Sequence, residues 1–132
     1  MIITYNKHSR DLEPFVQDMI KRFQYSETKH IVSLAIKGYN SSTGAQHGAI
    51  TKTTLKGRKV SYTITLNRKG KHKSYEPLEC TLTTLAHELA HLTYWNHGRA
   101  HFQRMAILLM YAGCSIEEHQ IDYTKEPKLC VK

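Results

Sequence analysis

His87-Glu88-Leu89-Ala90-His91, then Leu92-Thr93-Tyr94-Trp95-Asn96, then His97-Gly98-Arg99-Ala100-His101-Phe102, is the stretch on which the reading of this chain turns. Its first five residues form an HExxH motif. Histidines four apart on a helix project from one face, a turn apart, so two imidazole nitrogens can converge on one metal ion. Glu88 is rotated ~100° from His87, too far round to be a third ligand but placed to reach a metal-bound water. Leu82, Leu85, Leu89 and Leu92, spaced 3, 4 and 3, form an apolar stripe on the other side. One helix is therefore expected to be core on one side and chemically armed on the other. Catalytic zinc takes three protein ligands and keeps one position open, so a third ligand has to come from beyond this helix. If the helix continued, His97 would lie ~9 Å further along the axis and about 240° round from His91. A break after Leu92 is expected instead, with Asn96 and Gly98 suited to a left-handed turn that swings His97 back. His101 is the alternative third ligand; its other role would be a polar residue at the start of the next helix or a partner behind the metal.

Outward from this stretch the chain reads as an α+β domain. Residues 11–24 carry Leu12, Phe15, Val16, Met19, Ile20 and Phe23 at helical spacing, with Pro14 in the first turn. Residues 30–38 are rich in β-branched side chains and read as a strand. Residues 48–55 and 60–67 flank Lys56-Gly57-Arg58-Lys59, the pattern of a β-hairpin. Its second arm alternates, Val60, Tyr62, Ile64 and Leu66 against Ser61, Thr63, Thr65 and Asn67. Pro77 opens the metal-site helix, expected to run to about Tyr94. Residues 100–112 form a further helix with Phe102, Met105, Ala106, Leu109 and Met110 as its buried stripe, Gly113 as its stop and a capping box at 115–118. The expectation is a three-stranded sheet with a basic hairpin, an N-terminal helix, the HExxH helix and one helix after it. Residues 1–124 make one domain and 125–132 a loose tail.

Composition narrows the class. The chain has 132 residues and a net charge of +8. Residues 28–75 hold ten lysines and arginines and no acid, so that segment is +10 and the remainder −2. A block of this kind attracts polyanions by releasing their counterions. Lys56, Arg58 and Lys59 at the hairpin tip, with Arg68, Lys69, Lys71 and Lys73 at its exit, are the candidate nucleic-acid contacts. Tyr62 and Tyr75 are candidates to stack on unpaired bases, which would favour single strands. No run reaches ~18 apolar residues, so no membrane span is expected. The first residues lack the apolar core of a signal peptide. Cys80, Cys114 and Cys130 are odd in number and widely spaced, which suits reduced cysteines and a cytoplasmic location.

The stretch HELAHLTYWNHGRAHF resembles the SprT-like and WLM metalloprotease domains, zincins with a helical HExxH, a third His in a short following turn and an adjoining helix. The resemblance implies a small zincin-like fold in which His87, His91 and His97 bind Zn2+ and Glu88 is the general base. It implies a protein or peptide substrate, including proteins held on DNA. It also implies that strand 60–67 is a sheet edge that pairs with a bound peptide, with Thr63, Thr65 and Asn67 near the cleft. The chain departs from those families in having Phe102 five residues after His97, where four is usual, and in lacking a Cys-rich zinc ribbon. Metzincins share the histidine spacing but have Gly where this chain has Tyr94. Two other readings stand beside the peptidase. The bacterial rRNA-maturation endonucleases resemble the spacing and the basic surface, but have Gly at the positions of Glu88 and Tyr94. A nucleic-acid-binding module stapled by zinc would need His101 as a fourth ligand. Tyr94, Arg99, Tyr111 and Tyr123 are the candidates to stabilise an oxyanion.

Overall fold

The computed structural model describes residues 1–41, 47–69 and 77–118, residues 114–118 by backbone alone. The chain runs β1 (Ile2–Tyr5), α1 (Glu13–Ile20), α2 (Tyr25–Thr28), β2 (Ile31–Tyr39), β3 (Gly48–Thr54), β4 (Val60–Asn67), α3 (Leu78–Ala90) and α4 (Arg99–Glu118). This is an α+β architecture, as the sequence indicates. The sheet has four strands, not three, in the order β1-β2-β4-β3. Strand β1 is the addition. It pairs in parallel with β2, an arrangement that needs a crossover, and the segment carrying α1 and α2 provides it.

The expected hairpin is present: β3 pairs antiparallel with β4. Its turn is a short 3-10 segment over Lys56–Arg58, with Gly57 at φ +71°, where a residue without Cβ costs least. The alternation of β4 is real. Tyr62, Ile64 and Leu66 are buried on the face that meets α3, while Ser61, Thr63 and Thr65 are half-buried on the other. Strand β4, however, lies inside the sheet between β2 and β3. The edges are β1 and β3, and Thr63 and Thr65 lie on the sheet face opposite α3, so they cannot line the cleft. Asn67 is buried too; its side chain clasps both the N–H and the carbonyl of Ser41.

Leu82, Leu85, Leu89 and Leu92 are all buried, joined in one core by Leu12, Phe15, Val16 and Met19 of the α1 region and by the inward face of the sheet. Helix α1 ends at Ile20, short of the expected residue 24, and Gln24 and Glu27 form a capping box on α2. Helix α4 differs most from the reading. It passes through Gly113 without stopping, so residues 115–118 continue it rather than cap a new helix. Its buried positions are His101, Leu108 and Ala112, while Phe102 and Met110 are 58% and 69% exposed. Apolar residues surround this helix between 105 and 110, so periodicity alone could not choose the buried face. Cys80, in the first turn of α3, is disulfide-bonded, which corrects the expectation of three reduced cysteines and withdraws their support for a cytoplasmic location. Among the described residues no helix is long and apolar enough to cross a membrane.

Candidate metal centre

Helix α3 delivers His87 and Glu88 in its last turn and His91 at its C-cap, and the chain then tightens rather than crossing into a left-handed conformation. The His91 N–H bonds to the Glu88 carbonyl (3.1 Å), that of Leu92 to Leu89 (3.0 Å) and that of Tyr94 to Ala90 (3.0 Å). Among the described residues only Gly57 and Arg58 have positive φ, so Asn96 and Gly98 make the return without it. Gly98 then starts α4, its carbonyl accepting the Phe102 N–H at 3.0 Å.

The return brings His97 onto the helix face. Its Nε2 stands 3.1 Å from Nε2 of His87 and 3.1 Å from Nε2 of His91. An ion held tetrahedrally at about 2.0–2.1 Å from each nitrogen sets its ligand atoms roughly 3.3 Å apart, so the spacing is close to that of a zinc site. Hydrogen bonding does not account for it. His91 Nδ1 faces the Tyr94 carbonyl at 3.0 Å, so the neutral ring carries its proton there and leaves Nε2 bare. His97 Nε2 can donate to His91 or accept from His87, but not both, and one contact remains that a cation would satisfy. Burial holds the His91 imidazole below its ordinary pKa, aided by the charges of His101 and His97 and opposed by the Tyr94 and Trp95 backbones. A neutral ring is the form that ligates.

His101 belongs to the same cluster. Candidate ligand atoms of His87, His91 and His101 all lie within 4.8 Å of one another. Its Nε2, however, is 2.8 Å from the His87 carbonyl, and its ring packs on that of His91 with centroids 4.1 Å apart. The His91 N–H has turned to the Glu88 carbonyl, and His101 reaches from α4 to the His87 carbonyl at this helix end. The tighter trio is His87, His91 and His97, with His101 behind it. His97 is exposed, whereas His91 and His101 are buried.

The three rings and Glu88, itself buried, line a cleft of about 540 Å³ whose other wall is His47, Gly48, Ile50 and Trp95. Those four were not singled out in the sequence. Gly48 and Ile50 lie on β3 and so put the sheet edge beside the histidines. Gly48 is required there: a Cβ would fall 2.5 Å from Cγ2 of Thr84 on α3. The bend that carries His97 is tied down by Glu27 of α2, which accepts the Thr93 hydroxyl (2.7 Å) and pairs with Arg104 of α4 (2.9 Å).

The remaining candidates divide. Lys56, Arg58 and Lys59 are exposed at the hairpin turn. Arg68 is not available to a phosphate. It is buried, and its guanidinium grips both oxygens of Asp11 at 2.8 Å and the His8 carbonyl at 2.7 Å. This fork-to-fork pairing holds the Asp11 carboxyl below its ordinary pKa. Lys69 is half-buried, and Lys71, Lys73, Tyr75 and Tyr123 lie outside the described residues. Tyr62 is buried against Trp95, ring centroids 6.3 Å apart, and cannot stack on a base. Of the oxyanion candidates, Tyr111 is covered by Arg22 at 3.4 Å, the Tyr94 ring lies 5.6 Å from Arg104, and Arg99 is exposed.

No family model matches the chain, and no curated protein matches it. Among solved structures the chain is similar to Wss1 from Saccharomyces cerevisiae, 13% identical over 92% of this chain and 93% of that one, with a TM-score of 0.46. A mutant of the same protein gives 12% identity over 92% and 95%, also at 0.46. A Wss1 mutant from S. pombe gives 13% identity over 83% and 93%, at 0.45.

Proposed function

We propose that this chain is a zinc-dependent peptidase in which His87, His91 and His97 hold the metal and Glu88 is the general base. The observation that carries the reading is the pair of 3.1 Å Nε2 contacts made by His97, beside a buried glutamate and an edge strand that borders the same cleft. A zinc ion held there would supply a Lewis acid for the scissile carbonyl and lower the pKa of a bound water to about 7. Glu88 takes a proton from the water whose oxygen bonds to the carbonyl carbon, then returns it to the amine nitrogen as the C–N bond breaks. Strand β3 is the edge against which an extended substrate can add its backbone hydrogen bonds. The site donates nitrogens only, the softer set that suits zinc better than magnesium or calcium.

The purified protein is expected to carry about one zinc per chain, and His87→Ala or His91→Ala to remove it. Glu88→Gln should keep zinc and fold but leave less than a few per cent of casein hydrolysis. Full zinc occupancy in both histidine variants would refute the metal site; an active Glu88→Gln variant would refute the base. DNA-held proteins remain the proposed substrate class, with Lys56, Arg58, Lys59, Lys69, Lys71 and Lys73 as phosphate contacts and without Arg68. A metal-dependent RNA hydrolase is the competing activity, read in the same assay with labelled rRNA in place of casein.

A further inference from the structure

Next to the metal cleft lies a second cavity of about 410 Å³, walled by His91 and Trp95, which it shares with the cleft, and by His30, Lys52, Tyr62 and Glu27. Its relation to the cleft follows from β3. Gly48, Ile50 and Lys52 are alternate residues of that strand, opposite Leu66, Ile64 and Tyr62 of β4, so all three project from the face that meets α3. Gly48 and Ile50 border the metal cleft and Lys52 borders the second cavity. A chain laid along the β3 edge presents alternate side chains to that same face, about 7 Å apart. One that places a peptide bond beside the histidines therefore sends a side chain two or three residues away into the space beyond Trp95.

The charges in that space point to one kind of side chain. Glu27 is its one acid, and its carboxylate is already engaged by the Thr93 hydroxyl, the Gln24 N–H and the Arg104 guanidinium. Lys52 is exposed on β3, and among the described residues it pairs with no carboxylate. His30 adds a ring N–H. Trp95 and Tyr62 offer flat apolar surface to a methylene stem, Trp95 being half exposed. We propose that this cavity is a specificity subsite for an acidic side chain of the substrate, read by Lys52 and His30 and walled off from the metal by Trp95. The assignment rests on the peptidase reading for its register along β3, but not for its charge.

The test uses zinc-loaded protein and synthetic peptides of one parent sequence with Glu, Gln or Lys placed in turn at each position, cleavage sites being read by mass spectrometry. At one position two or three residues from the cut bond, Glu should exceed Gln in kcat/KM by about tenfold, the worth of one charge-assisted contact. Lys52→Glu should reverse the preference to Lys, while Lys37→Glu, the same charge change at an exposed position of β2, should leave it intact. A preference that survives Lys52→Glu, or that Lys37→Glu also reverses, overturns the subsite and leaves the peptidase standing. If no peptide is cut, the peptidase reading falls and binding decides the subsite. Trp95 is the only tryptophan of the chain, so its emission reports on the cavity. Tighter binding of the Glu peptide than the Lys peptide, reversed by Lys52→Glu, keeps the acidic site; equal affinities overturn it.

Discussion

His101 and His97 are four residues apart and share one cluster, yet they meet different atoms. His97 offers its Nε2 to two other Nε2 atoms; His101 spends its own on a carbonyl. On the zinc reading, losing His97 removes a ligand, whereas losing His101 takes the donor from a helix-end carbonyl and leaves the His87 ring less firmly aimed. His97→Ala should weaken zinc binding further than His101→Ala, which should cost about 10–100-fold, the range for groups that orient a ligand from behind. His101→Gln, whose amide can donate to the same carbonyl, should recover part of the loss. Competition with a chromophoric chelator measures all three, and the reverse order would make His101 the third ligand. The candidate metal ligands on α3 were legible because HExxH is a local pattern: helical spacing alone puts His87 and His91 together. Arg68 was misread for the opposite reason. Sequence shows its charge but not Asp11, 57 residues away in the chain, which takes both ends of the guanidinium.

At the scale of elements, β3 packs on α3 beside the cleft, and Gly48 meets Thr84 there. Adding a methyl at Gly48 drives it into Cγ2 of Thr84, with the Thr65 carbonyl 3.1 Å away on the other side. Gly48→Ala is expected to destabilise by ~1–3 kcal/mol, the usual cost of overpacking. Thr84→Ser removes the obstructing methyl and keeps the hydroxyl that bonds to the Cys80 carbonyl. In that background the Gly48→Ala cost should fall by about 1 kcal/mol, a coupling that urea denaturation of the four proteins would resolve. Equal costs in both backgrounds would show that the methyl is not the obstacle. Sequence gave the hairpin and its alternation correctly, because the two arms lie close in the chain and the Gly57 turn is explicit. It could not give the edge. Which arm is outermost depends on β2 docking along β4, a pairing of strands about thirty residues apart that leaves no periodic trace.

Across the whole molecule, one core joins α1, α3, α4 and the inner sheet face, and Leu82, Leu85 and Leu89 of α3, with Leu92 just beyond it, announce it in the sequence. The outlying pieces were harder to read. Strand β1 has four residues and exists only by pairing with β2, and α4 is apolar all round where its buried face had to be chosen. These are cases in which tertiary partners decide what local pattern leaves open.

Glu27 gives the molecule a proton-operated fastening. Burial alone would raise its pKa, but bonds from Thr93, the Gln24 backbone and Arg104, with the charge of Arg104, hold it below the ordinary 4.5. A carboxyl lowered in the folded state contributes its full stabilisation above the ordinary value and loses it as pH falls through the lowered one. One protonation therefore slackens two ties together, one to the bend after α3 and one to α4. That bend is mostly exposed from residue 95 onward, so little apolar burial holds it closed once the ties go. Acid should then free the segment carrying His97 before the core yields. Amide exchange in the metal-free protein would show this as protection lost at residues 92–94 while Leu85 and Leu89 stay protected, and Glu27→Gln should show the same opening at neutral pH. Simultaneous loss at both places would mean that the bend opens only when the whole domain does.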